Sequence, residues 1–392
     1  MVSAGNARSK ELIQAAERAL QGRDVRAAMG MLAEAERLAP EDIDVKMQLA
    51  LALRASGDLE GALHALDAAL ALDPYHLVAL ISKGWLLEKL ERPLQAAHVY
   101  RNALKITPPD NQLAPSLKAP VARARDVVKA EADRLEALLL EQTRDIRARH
   151  PGERLDRFDL SLKAFAGKAR IYTSEPVLVH FPKLPAEEFY DRALFPWLAQ
   201  LEAATDVIRE ELLVVMREDL EQLEPYIQYP PGAPVNQWVE LNHSPRWNSY
   251  FLWRDGVRED EHCRRCPATA ALLQSLPMLD QPGFGPTAIF SVLAPHTRIP
   301  PHTGSANTRL VVHLPLILPG DCRFRVGNDL RDWRMGEAWV FDDTIEHEAW
   351  NDSDKTRVVL IFDVWNPFLN PAERELVAKM MAAKTQDARR RP

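Results

Sequence analysis

At 392 residues the chain is too long for one ordinary domain and fits two or three. Its 46% hydrophobic content is ample for packed cores, and its 27% charged content is ordinary for a soluble protein. A net charge of −7 argues against a nucleic-acid surface, which needs clustered Lys and Arg. The dense basic run Arg389-Arg390-Arg391 reads as a frayed tail. Met1 to Lys10 carries no apolar h-region, so no signal peptide is expected. No stretch approaches the ~20 unbroken apolar residues of a bilayer span, so no membrane partner is expected. Cys263, Cys266 and Cys322 are too few for a disulfide framework, which makes a reduced cytoplasm the simplest home.

In chain order, the first feature is a repeat. Pro40, Pro74 and Pro108 recur every 34 residues, and in the same register fall Ala28, Ala62 and Ala96, then Leu32, Leu66 and Tyr100, then Leu38, Leu72 and Ile106. Small residues at a tight helix–helix approach, larger ones in the next layer and a proline stopping each second helix describe stacked helix pairs. Ser56-Gly57-Asp58 supplies a turn between paired helices. The pattern resembles the tetratricopeptide repeat, and it assigns about three units over residues 8–108.

A Pro-rich break follows at 109–120, then an amphipathic charged helix from Val121 to Arg149 ended by His150-Pro151-Gly152, so that 109–170 is expected to be a helical linker. Beyond about residue 170 Trp, Pro and Gly become commoner. Ala288–Leu293, Arg309–Leu316, Cys322–Val326, Ala338–Phe341 and Arg357–Val364 read as strands, and helices are expected at 186–224 and 372–384. The strands suggest an antiparallel double-sheet jelly roll over 171–384, with a disordered tail at 385–392.

Within that region His302 and His347 are two separated imidazoles at the rim of a β-sandwich, a pattern from which facing strands build metal sites; imidazole suits iron, copper, nickel and zinc alike, and taken singly each His reads more readily as structural. Strand alternation puts Arg309, Val311 and His313 on one face, and Arg357, Val359, Ile361 and Asp363 on one face of another strand. Arg357 either opens its strand pointing to water, or sits buried and clamps a dicarboxylate with its planar fork. His262 and Cys263-Arg264-Arg265-Cys266 offer half of a zinc knuckle without a second Cys pair, and surface thiols are the simpler reading.

The stretch from Phe290 to Pro367 resembles the aspartyl/asparaginyl β-hydroxylase family. The resemblance is carried by Pro301-His302-Thr303-Gly304, Asn307, Arg309-Leu310, His313-Leu314, Phe341-Asp342-Asp343, Glu346-His347-Glu348, Trp350 and Asp363-Val364-Trp365, and extends more weakly over about 175–380. It implies a double-stranded β-helix oxygenase using Fe(II) and 2-oxoglutarate, with His302 and His347 as metal ligands. Ser291 and Arg357 match the pair holding the distal carboxylate of 2-oxoglutarate, His313 a residue at its proximal end, and Trp247 a further residue of that pocket. The position two after His302 is Gly304, where most related oxygenases place a carboxylate ligand. Asp342 or Asp343 either orients His347 or a water from behind, or caps a turn.

The chain departs from the family at Val311, where the best-known animal member has an arginine, so that either Arg309 takes over or the pocket treats anions differently. That member's disulfide has no equivalent either, for Cys263 matches one of its cysteines but Ala270 stands in place of the other. The implied reaction is hydroxylation of a C–H bond, at the β-carbon of Asp or Asn residues in a peptide or protein that the repeat surface could deliver. The alternative is a non-catalytic repeat scaffold whose jelly roll senses a metal or a dicarboxylate.

Overall fold

A computed structural model describes residues 2–281 and 283–390, without the side chains of 2–6 and 384–390. The chain divides into two compact units, residues 1–169 and 170–392.

The first unit is helical. α1 (Val2–Gln21) pairs with α2 (Val25–Leu38), α3 (Ile43–Ser56) with α4 (Leu59–Leu72), and α5 (Leu77–Lys89) with α6 (Pro93–Lys105), giving the three hairpins of a tetratricopeptide-type solenoid. The ends follow from local chemistry. Asp24, Asp42 and Asp58 accept hydrogen bonds from the backbone N–H groups of Ala27, Asp44 and Gly61, each N-capping a helix. Pro93 opens α6 instead, where its missing N–H costs nothing. Gly57 closes α3 at φ 88°, a left-handed conformation that favours glycine.

Ala28, Ala62 and Ala96 are all 0% exposed, as the closest layer requires. One position of the 34-residue register was not anticipated, that of Ala16, Ala50 and Gly84. Ala16 shares a core with Leu32, Ala50 with Leu66, and Gly84 lies directly against the ring of Tyr100. Where the larger partner grows from leucine to tyrosine, the smaller one shrinks from alanine to glycine. The Tyr100 hydroxyl donates to Glu88 Oε1 at 2.8 Å, and Glu88 in turn pairs with Arg123 of the next helix, α7 (Pro115–Arg149). That helix starts earlier than the sequence suggested: Pro115 is at its first turn and Pro120 inside it, so the break shrinks to 106–114. α8 (Asp156–Phe165) completes the unit.

The second unit is a β-sandwich. Its strands are β1 (Glu224–Pro225), β2 (Trp247–Arg254), β3 (Val257–Arg258), β4 (Ala288–Leu293), β5 (Thr297–His302), β6 (Arg309–Ile317), β7 (Cys322–Val326), β8 (Asp329–Asp332), β9 (Trp339–Phe341), β10 (His347–Asn351) and β11 (Arg357–Trp365). One sheet runs β1-β2-β4-β11-β6-β9, with β3 beside β2, and the other runs β5-β10-β7-β8. All pairings within the two sheets are antiparallel. Apart from the β7–β8 hairpin, β4 to β11 thus alternate between sheets as a double-stranded β-helix, or jelly roll, which β1–β3 extend at one edge.

The larger sheet is buried on both faces. Leu310, Val312, Leu314, Val358, Leu360 and Phe362 face helices α9 (Leu198–Ala203), α10 (Thr205–Glu218), α11 (Asp260–Arg265) and α12 (Pro267–Ser275). The alternate positions turn toward the smaller sheet, where Val311, Val359, Phe324, Trp339 and Phe341 form the inter-sheet core. The expected helix over 186–224 is reduced to α9, α10 and single 3₁₀ turns, because 186–197 bridges onto β9 through Phe189 and Phe341. Cys263 and Cys266 are not surface thiols: they are 1% and 0% exposed, packed under the larger sheet as small apolar residues. A final helix, α13 (Pro371–Arg390), runs past Lys384 into the segment expected to be a tail; Arg391 and Pro392 lie outside the described residues.

The Gly84–Tyr100 contact yields a test. A Cβ added at Gly84 would land on the Tyr100 ring, which is 1% exposed and has no room to retreat. Gly84→Ala should destabilise the helical unit by about 1–3 kcal/mol despite alanine's better helix propensity. The double variant Gly84→Ala/Tyr100→Leu should recover most of that loss in chemical denaturation monitored by far-UV circular dichroism.

Candidate active site

β5 and β10 pair so that His302 and His347 are direct cross-strand partners, with a register shift just after His347. Their ring centroids are 4.0 Å apart. Each ring is held by its own chain: Nδ1 of His302 lies 2.8 Å from the Pro300 carbonyl and Nδ1 of His347 lies 3.1 Å from the Ile345 carbonyl. A carbonyl can only accept, so both Nδ1 atoms carry the proton and both Nε2 lone pairs are left free. Burial, and then the neighbouring imidazole, pushes the His302 pKa well below its ordinary value, and burial pushes that of His347 down to about 4. Two neutral imidazoles with free Nε2 atoms side by side could hold a divalent metal ion. Among the described residues no group of three or more His, Cys, Asp or Glu side chains has ligand geometry.

Both rings line a cavity of about 470 Å³ between the sheets, shared with Trp247, Ser291, His313, Arg357, Arg309 and Asp343. β4, β11 and β6 are adjacent strands, and their inward positions supply Ser291, Arg357 and His313. Arg357 is 2% exposed and its Nε has no partner. Burial lowers its pKa to about 10, which still leaves it charged at neutral pH, and its guanidinium lies 5.4 Å from the centre of the Trp333 ring. Trp333 also stacks on His313, 5.6 Å between centroids at 15°. His313 is 7% exposed with an unpartnered Nδ1, and burial followed by the Arg357 charge holds it neutral. Ser291 Oγ accepts a hydrogen bond from Trp247 Nε1 at 3.0 Å. An unpaired cation, an unpaired ring nitrogen and a fixed hydroxyl in one buried corner fit an anionic oxygen ligand.

The two aspartates separate. Asp342 caps a turn: its carboxylate accepts from Thr344 N at 2.9 Å, Thr344 Oγ1 and Ser174 Oγ, and it does not line the cavity. It is therefore not placed to orient His347. Asp343 does face the cavity, where its Oδ2 accepts from Arg309 Nη2 at 2.8 Å while Oδ1 has no partner. A Cβ added at Gly304 would land on that carboxylate, so the absence of a side chain two residues after His302 is what makes room for Asp343. Arg309 also donates to Asp363 Oδ1 at 2.9 Å, so it is ion-paired twice and is not a free anion clamp. Burial opposes the Arg309 charge, but the two carboxylates outweigh it and keep the group protonated.

Sequence reasoning missed Trp333, Trp238, Tyr226 and Asp363 as parts of the site. Trp238 packs edge-on to His302 at 4.9 Å, and Tyr226 lies over Trp247 at 4.3 Å. Asp363 was detectable, since alternation had already put it on the face of Arg357. The two arginines should respond oppositely to removal. Arg309→Met strands two buried carboxylates and should cost about 3–5 kcal/mol of stability, whereas Arg357→Met removes a buried charge with no counter-ion and should be neutral or stabilising in urea denaturation without added anion.

The family model for aspartyl/asparaginyl β-hydroxylases matches residues 202–367. The ornithine lipid ester-linked acyl 2-hydroxylase of Rhizobium tropici is 36% identical over 222 residues, 56% of this chain and 72% of that protein. The human aspartyl/asparaginyl β-hydroxylase is 37% identical over 175 residues, which is 44% of this chain but 22% of that protein. Human aspartate β-hydroxylase domain-containing protein 2 is 36% identical over 150 residues, 37% of this chain and 40% of that protein. The chain thus spans less than half the length of either human relative. These relatives are hydroxylases or hydroxylase-domain proteins by name, and the matched region coincides with the sandwich that encloses the cavity. The chain belongs to the aspartyl/asparaginyl β-hydroxylase family.

Proposed function

We propose that this chain is an Fe(II)- and 2-oxoglutarate-dependent dioxygenase that hydroxylates a C–H bond. The observation that carries the reading is that one buried cavity holds two neutral imidazoles with free Nε2 atoms and, on neighbouring strands, a buried guanidinium with no counter-ion. In this reading His302 and His347 hold the metal. Arg357 and the Ser291 hydroxyl bind the distal carboxylate of 2-oxoglutarate, Trp247 fixes that hydroxyl, and His313 meets the other end of the keto acid. Ferrous iron with 2-oxoglutarate and dioxygen supplies the oxidising power, the keto acid leaving as succinate and carbon dioxide. The protein's own work is to keep both imidazoles in one tautomer, to counter the dicarboxylate's charge and to exclude water behind aromatic walls.

For the target, the family and the human relative bear the names of Asp and Asn, and we take the β-carbon of such a residue in a peptide or protein as the primary reading. The aliphatic positions Ile227, Ile289, Ile299 and Ile361 in the cavity wall favour a second reading, a fatty acyl chain, the group named for the Rhizobium tropici relative. The helical repeats are proposed to deliver a protein substrate. Among the described residues no helix is long and apolar enough to cross a membrane.

Anaerobically prepared protein should bind one iron per chain and release succinate from 2-oxoglutarate in air. His302→Ala and His347→Ala should lose iron and succinate release together; stable zinc or manganese with no succinate would overturn the reading in favour of another metalloenzyme or a sensor. Arg357→Met should retain iron while its KM for 2-oxoglutarate rises about tenfold or more, as expected when a charge-assisted pair is lost. Removing residues 1–110 should raise the apparent KM for a protein substrate and leave substrate-free 2-oxoglutarate turnover intact; unchanged turnover of the protein would exclude a delivery role.

A further inference from the structure

The charges lining the cavity fall into two groups. One is Arg357, whose Nε has no hydrogen-bond partner and which makes no ion pair among the described residues. The other surrounds Arg309, whose charge is ion-paired with Asp343 at 2.8 Å and with Asp363 at 2.9 Å. Asp363 is fully engaged, because its second oxygen accepts the backbone N–H of Thr287 at 2.9 Å. Asp343 is not: the residue is 7% exposed, lines the cavity, and its Oδ1 has no hydrogen-bond partner. Asp255, exposed at the rim, adds a third carboxylate. Val311 stands between Arg309 and His313 on the inward face of β6 and offers no charge.

This end of the cavity therefore presents three carboxylates against one guanidinium that is already paired. An entering carboxylate would give up its hydration, find no free cation and meet the open oxygen of Asp343. An N–H donor would find that oxygen as a waiting acceptor, and a charge-assisted hydrogen bond at a buried carboxylate is among the stronger ones available. We infer that the substrate group entering beside Asp343 is an amide or an ammonium and not a carboxylate. For a peptide substrate this selects asparagine, or a residue with an amine, over aspartate. The inference rests on the dioxygenase reading only for which end of the cavity the substrate uses.

The test needs no turnover. The full chain, loaded with Zn(II) and saturated with 2-oxoglutarate, is titrated by calorimetry with three probes that share an isopropyl group: isobutyramide and isobutyrate, which are isosteric, and isobutylamine. The amine and the amide should bind about tenfold or more tighter than the carboxylate, the difference one charge-assisted hydrogen bond makes. Asp343→Asn should remove most of the amine's advantage, and Asp255→Asn, at an exposed turn position of φ 51° that asparagine also tolerates, should reduce it. Carboxylate binding as tight as amine binding, or no binding of any probe, overturns the inference. Repeating the ranking without 2-oxoglutarate in Arg357→Met, which lacks the other cation, separates the two ideas. Failure of 2-oxoglutarate to bind the unmutated chain counts against the dioxygenase reading, whereas the probe ranking in Arg357→Met judges the charge inference by itself.

Discussion

The site depends on the register of one strand pair. β5 and β10 bring His302 opposite His347, and a slip of a single residue would send one ring to the opposite face of the smaller sheet. The shift between His347 and Ala349 confines the irregularity to the residues just beyond the histidine, so the ladder resumes with Ala349 opposite Ile299. β7 on the far side of β10 locks that register through five further pairs, from His347–Val326 to Asn351–Cys322. The imidazoles owe their proximity to backbone pairing, and their tautomers to carbonyl oxygens two residues before each of them.

Around that pair, the sandwich carries polar groups where its core would otherwise be apolar. β6 and β11 bury both faces, one against helices and the other against the smaller sheet. On the second face Arg309, His313, Arg357 and Asp363 replace hydrophobic residues. Such replacements are unfavourable for folding unless each group is paired, and the pairing here is uneven. Arg309, Asp343 and Asp363 form a mutually satisfied set apart from one oxygen, while Arg357 and His313 leave polar atoms unmet. Groups of that kind cluster where a ligand is to complete them.

The fold was largely legible because its strongest signals are periodic. A 34-residue register exposed the repeats, and β4, β6, β7, β9 and β11 are rich in apolar or β-branched residues and match the expected strands to within a residue at each end. The strands that carry the two histidines were less visible. β5 contains Pro300 and Pro301, which read as loop; it is an edge strand, where a missing N–H is tolerated. β10, His347-Glu348-Ala349-Trp350-Asn351, has the composition of a turn, and it becomes a strand because β5 and β7 flank it. Of the site itself, strand alternation found the faces of Arg357 and His313, and the family resemblance supplied Ser291 and Trp247. Neither could tell that Asp342 turns away while Asp343 turns inward, since that depends on how the 341–346 turn is closed by Thr344 and Ser174. Nor could either see the buried position of Cys263 and Cys266, which comes from helices folding back over the larger sheet.

The pairing of Ala16 with Leu32, Ala50 with Leu66 and Gly84 with Tyr100 bears on how such an array is built. Identical blocks could be shuffled or duplicated without penalty, and the chain would have no internal means of knowing its first module from its last. Here the last module is keyed: its bulky ring fits the hollow that its own hairpin provides, and the phenol oxygen bonds Glu88 of that hairpin, which in turn pairs with Arg123 of the helix that follows. The succession of modules is thereby encoded in side-chain volume, and the stack has a built-in terminus rather than an arbitrary one.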